Sequence, residues 1–234
     1  MKKTLLTAVI ALLAMVAASG VSAQTIGEVR FGAFGGFTSA RTKDVATNLL
    51  DFDVKRMPLY HAGLTAQFPL GGAFSIQPTV SWHVKGSSIA AIQDSEKGLN
   101  FEAFRSKIGY LEAGAQLQAG LDLLAFRPYL FLEPFAGYAL NVDEKLFKTD
   151  ADTPYQEVKA FDQSALRRME YGLGVGFGAE VWLMQLSFKW FWNFGNLYDE
   201  RNAGNADMAT LVKGLYDKGR NFNGFVMSVS IFFL

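Results

Sequence analysis

The chain has no cysteine, only two histidines and six prolines, and no excess of charge, with 22 basic residues against 22 acidic ones. Without cysteine there is no disulfide framework and no thiolate for catalysis or zinc binding. Balanced charge leaves no basic patch of the kind nucleic-acid binding demands. Two histidines are too few for a metal site, so neither metal nor cofactor is expected. Long hydrophobic runs are also missing. After the first two dozen residues no stretch approaches the ~20 apolar residues that a spanning helix needs. Yet 50% of the chain is hydrophobic, with 21 phenylalanines and 23 glycines. A chain this apolar without such a helix is left with one way to satisfy its backbone in lipid, a closed β-barrel.

The first 23 residues read as a signal peptide. Lys2 and Lys3 form the charged end, residues 5–18 the apolar stretch, and Val21-Ser22-Ala23 a small-x-small cleavage site. The mature part would be residues 24–234, a single domain of about 210 residues. Removing the two lysines leaves a formal charge of −2.

The most informative stretch is residues 168–195. Met169, Tyr171, Leu173, Val175, Phe177, Ala179 and Val181 alternate with Glu170, Gly172, Gly174, Gly176, Gly178 and Glu180. A second run sets Met184, Leu186, Phe188, Trp190, Trp192 and Phe194 against Gln185, Ser187, Lys189, Phe191, Asn193 and Gly195. Strict period two means β-strand, with successive side chains on opposite faces. Here the bulky apolar face is the fat one and the other is glycine, polar or charged. That combination predicts a transmembrane hairpin, bulk toward lipid and the thin face toward a crowded lumen. The glycines would let the wall pass close over inner residues such as Phe34, Phe131 and Phe191.

The same alternation recurs at residues 28–38, 58–68, 73–85, 107–119, 126–140 and 222–234, which makes eight strands. Pro78, in the cleanest of them, is expected at a bulge. The register of 126–140 is the hardest to read, since both faces are aromatic and the segment holds Pro128 and Pro134. The connections run long, short, long, short, long, short, long, with polar stretches at 39–57, 86–106, 141–167 and 196–221. This asymmetry predicts an eight-stranded antiparallel up-and-down transmembrane β-barrel with three short periplasmic turns and four external loops. Tyr60, Trp82, Tyr138, Trp190 and Trp192 fall near the long-loop ends and would form an outer aromatic girdle. A soluble lipocalin-like barrel is the alternative, but it would turn its bulky face inward around a ligand.

Inward-facing charges are the candidate site: Arg30, Lys85, Glu112, Glu133, Glu170, Glu180 and Lys189. Eight strands enclose a lumen that side chains just fill, so these charges are expected to pair there. Glu112 and Glu133 with Arg30 and Lys189 is the pairing the inner sets suggest. A proton or ion path is the sharper reading of the same residues. Ser81 and His83 share a face, but i, i+2 spacing is poor geometry for a nucleophile and its base. The chain is therefore not expected to be an enzyme. The 141–167 segment, with Asp143, Glu144, Lys145, Lys148, Asp150 and Asp152, reads as a solvated loop that could also dock a partner.

Residues 129–140 (YLFLEPFAGYAL), 170–181 (EYGLGVGFGAEV) and 186–197 (LSFKWFWNFGNL), with Tyr110-Leu111-Glu112, resemble the outer-membrane β-barrel domain of PorT-like proteins. The resemblance covers most of the mature chain. It implies a small monomeric barrel in the outer membrane of a Gram-negative bacterium. Its partners would be outer-membrane lipid, and the barrel-assembly machinery through the C-terminal strand. The chain ends Phe232-Phe233-Leu234, where the family carries a terminal aromatic. The family's namesake belongs to a secretion apparatus, a role not carried over here. The expected function is structural or adhesive, at the loops or turns. A narrow channel for very small solutes comes second, and an outer-membrane lipid hydrolase or acyltransferase third.

Overall fold

The computed structural model describes residues 29–42, 54–89, 92–94, 99–101, 103–121, 123, 126–150, 153–159, 166–199 and 221–233. The segment read as a signal peptide lies outside the described residues. In chain order the strands are β1 (Arg30–Thr42), β2 (Val54–Gly71), β3 (Phe74–Ile89), β4 (Ile92–Asp94), β5 (Leu99–Phe101) and β6 (Ala103–Gly120). They continue with β7 (Arg127–Asp150), β8 (Thr153–Lys159), β9 (Met169–Val181), β10 (Met184–Asn193) and β11 (Phe222–Phe233). Eight of them, β1, β2, β3, β6, β7, β9, β10 and β11, form one antiparallel sheet in which each pairs with its sequence neighbour. It closes on itself where β1 pairs with β11. β8 folds back on the end of β7, and β4–β5 is a separate ribbon. Closure leaves the barrel no edge, the condition for burying a sheet in hydrocarbon.

The period-two sets separate as their chemistry requires. Phe31, Leu64, Leu130, Phe177 and Ile231 are exposed on the outside, while Glu133, Gln77, Phe131 and Phe232 are buried within. The 126–140 segment takes the register with Arg127, Tyr129, Phe131, Glu133 and Phe135 inward and Leu130, Leu132 and Tyr138 outward. Tyr60, Tyr138, Trp190 and Trp192 stand exposed near the long-connection ends. Trp82 instead lies against Gly109, where an added Cβ would sit 2.2 Å from the indole.

Two expectations are corrected. Pro78 is at no bulge: β2 and β3 keep one register on either side of it, Thr65 with Thr79 and Phe68 with Ile76. Its missing N–H is absorbed as a gap in that ladder. The register shifts instead between Arg56 and His61, around Pro58, and again between Pro69 and Gly71. The strands also outrun their apolar alternation. β7 reaches Asp150, well past 140, and segment 141–167, read as a loop, is largely β7 and β8. The reason is that alternation marks contact with lipid, whereas ladder hydrogen bonds form equally well in water. β6 and β7 stay paired through Lys107 and Asp143, beyond the apolar span.

Candidate functional site

All seven predicted lumen charges lie inside the barrel, and the structure joins them into a column running from one end to the other. At the periplasmic end Arg30 donates to Glu180 and to Gln67. Arg127, on the neighbouring β7, lies 3.6 Å from the same Glu180 carboxylate. Gln67 Nε2 donates to Glu180 at 3.2 Å and to Gln118 at 3.1 Å. Gln118 donates to Gln77 at 2.7 Å and to Gln116 at 2.9 Å, and Gln116 donates to Glu133 at 3.0 Å. Glu133 also accepts from Lys189 at 2.6 Å, and Lys189 Nζ is 3.9 Å from Glu112. Above that, Lys85 donates to Glu112 at 2.5 Å and to Glu170 at 2.7 Å. Asn193 completes the column by donating to Glu170.

Lys189 meets both Glu133 and Glu112, whereas Arg30 meets Glu180 and neither of those two. Arg30 sits at the start of β1 and Glu180 at the end of β9, so both belong to the periplasmic rim, far below Glu112. Sequence reasoning left out Arg127, which lies in the segment whose register was the hardest to read. With Arg127 counted, four cations (Arg30, Lys85, Arg127, Lys189) face four carboxylates (Glu112, Glu133, Glu170, Glu180). Balance matters in a closed lumen, since an uncompensated buried charge costs several kcal/mol.

Lys85 is fully buried. Its ammonium lies 4.6 Å from the ring centre of Phe135, 4.9 Å from Phe191 and 5.4 Å from Tyr110, as well as between two carboxylates. The compact ammonium suits this cage of cation–π faces. The thin stripe of β9 makes room for such bulk. A Cβ at Gly176 would lie 2.4 Å from Phe131 and one at Gly178 2.4 Å from Tyr129. Phe131 lies under this stripe as anticipated, and Phe191 stands across the ladder from Gly174 and packs edge-on against Phe135.

A second chain of polar contacts joins the column at Glu112. Ser228 Oγ lies 2.8 Å from His61 Nε2, and Thr38 Oγ1 lies 3.0 Å from His61 Nδ1 and 2.9 Å from His83 Nε2. His83 Nδ1 lies 3.1 Å from Glu112. Glu112 accepts, so a neutral His83 carries its proton on Nδ1 and takes the Thr38 proton at Nε2. Thr38 then accepts from His61 Nδ1, and His61 Nε2 accepts from Ser228. Both His83 nitrogens are thus engaged away from Ser81. The Ser228–His61 pair has the contacts of a nucleophile and base. The space beside it, however, is ≈20 Å³, the size of a single water rather than an acyl group. Among the described residues no three histidines or carboxylates gather into a metal-holding group.

Ail, the attachment invasion locus protein of Yersinia pestis, superposes with a TM-score of 0.41 and 10% identity over 88% of this chain and 100% of its own. Neisserial surface protein A gives 0.38 and 11% over 90% and 100%. The N-terminal β-barrel domain of Pseudomonas aeruginosa OprF gives 0.26 and 10% over 86% and 99%. Likeness at this level carries no argument about what the barrel binds. A search of the curated proteins found no match. The family model for the outer membrane protein beta-barrel domain matches residues 20–199. The eight closed strands, lipid-facing bulk and polar lumen are those of that family, to which the chain belongs, and they place it in the outer membrane of a Gram-negative cell.

Proposed function

We propose that this barrel is a monomeric, non-conducting, non-enzymatic membrane scaffold that works through its external loops or periplasmic turns. Within the family it would stand closest to the PorT-like proteins and serve an envelope assembly. The observation that carries this reading is the column from Arg30 to Asn193, which occupies the lumen with paired charges. A lumen so filled leaves recognition to the connections, which a rigid barrel holds in place. In the same reading residues 1–23 direct export, and the C-terminal strand engages the assembly machinery.

The test is current across planar bilayers holding the purified barrel, compared with a Lys189→Met variant. Lys189 borders the ≈20 Å³ space and makes the column's longest link, 3.9 Å to Glu112. The scaffold reading expects no unitary conductance from either protein and a lower unfolding midpoint for the variant. A steady wild-type conductance that rises in Lys189→Met would replace it with a narrow channel.

A further inference from the structure

Two arginines stand together on the lipid-facing wall near the external rim. Ala40 and Met57 are the last pair of the β1–β2 ladder, and Arg41 on β1 and Arg56 on β2 follow immediately beyond it. Ala40 and Thr42 are buried on the lumen side, which turns Arg41 outward. Like charges brought close on adjacent strands are destabilising, and these two repel one another. Among the described residues neither has an acidic partner, and Arg41 Nε is buried without a hydrogen bond. Arg56 is nonetheless held in place. Its Nη1 donates to the Ser39 carbonyl at 3.4 Å, and its guanidinium carbon lies 5.8 Å from the Trp190 ring centre and 6.0 Å from Phe225.

Those two rings also form the upper wall of an open groove of ≈680 Å³, which continues over Leu130, Val175, Phe177 and Phe188. Leu130, Val175, Phe177 and Trp190 are exposed on the outer wall, so the groove opens on the lipid-facing side. A cationic pair at the rim and an apolar slot beneath it, sharing Trp190 and Phe225, match the two halves of one amphiphile.

We propose that Arg41, Arg56 and the Trp190–Phe225 ledge bind a phosphate-bearing lipid of the outer leaflet. The phosphate lies between the two guanidinium groups and an acyl chain lies in the groove. A phosphate relieves the repulsion of the pair, offers acceptors to the unused Arg41 Nε, and suits the planar donor fork of arginine. The aromatic ledge holds Arg56 in position while its charge remains available.

The experiment refolds the full chain in phosphatidylcholine nanodiscs doped with diphosphoryl lipid A and counts retained lipid by native mass spectrometry. Dephosphorylated lipid A is the comparison probe. Wild type is expected to retain one diphosphoryl lipid A per barrel and to hold the dephosphorylated form much more weakly. Arg56→Gln should weaken retention about fivefold and the Arg41→Gln, Arg56→Gln double variant about 25-fold, at roughly the same increment per arginine. Heat-dependent gel mobility establishes that each variant is folded, and should the double fail that control, the single variant decides. Equal retention by wild type and folded variant, or of the two lipid A forms, overturns the proposal.

Discussion

The two ends of the lumen hold charge by different means. At the periplasmic end the cations are arginines, Arg30 and Arg127, sharing Glu180 amid Gln67, Gln77, Gln116, Gln118 and Gln185. Arg30 keeps a side-chain exposure of 20%, so water still reaches this cluster. Deeper and toward the external end the cations are lysines. Lys85, with no exposure at all, is locked between Glu112 and Glu170 inside three aromatic rings. A guanidinium can spread its five donors over several amides and remain partly hydrated, which suits an open mouth. An ammonium is small enough to be enclosed, and enclosure strengthens its attraction to two carboxylates. The wet end is therefore expected to tolerate change and the enclosed end to resist it.

The sharpest break of that contrast is Lys85→Met. It keeps most of the side-chain volume and strands Glu112 and Glu170 beside aromatic walls. A loss of about 3–5 kcal/mol is expected, read as a lower midpoint of the folded gel band in urea-treated vesicles. Lys85→Arg keeps the charge yet overfills the cage, and its expected cost is about 1–3 kcal/mol in the same assay. A neutral result there would show that the aromatic shell does not select for size. At the other end Arg30→Gln should cost at most about 1 kcal/mol, because the pair is part-exposed and Arg127 remains beside Glu180. An effect as large as that of Lys85→Met would erase the distinction.

The smallest expected change lies just below Arg30, at the β9–β10 turn. Trp182 is a non-glycine residue at φ 56°, 83% exposed, with its carbonyl 3.5 Å from Arg30 Nη1. Trp182→Gly removes a left-handed penalty of about 1–2 kcal/mol and adds a comparable backbone entropy cost. The midpoint should move by less than about 0.5 kcal/mol. A clear loss would mean that the indole itself anchors the rim in the membrane interface.

The parts legible in the sequence were those governed by alternation. Glu133 counts as an inward-facing charge although its strand is aromatic on both faces, and it is buried in the lumen. The β9 glycines were read as a thin wall, and rings of Tyr129, Phe131 and Phe135 lie against them. Strand ends were less legible, since Asp143 to Asp150 pair beyond the reach of lipid. Partnerships were the least legible. Lys85 stands opposite Ile108 in the ladder and Glu112 opposite Ser81, yet Lys85 meets Glu112 diagonally and Glu170 across the lumen.

By itself, then, the amino-acid order determined which face of each strand meets lipid and which meets the lumen, because period two leaves a strand no other way to separate bulk from charge. It also determined the number of strands that close the barrel. Which charge answers which was decided only by the closed barrel. Strand tilt and the β1–β11 closure set the height and direction from which each side chain enters the lumen. The proximity of Arg41 and Arg56 beside the Trp190–Phe225 ledge arises the same way, from four strands brought side by side, since ladder register rather than sequence distance makes them neighbours.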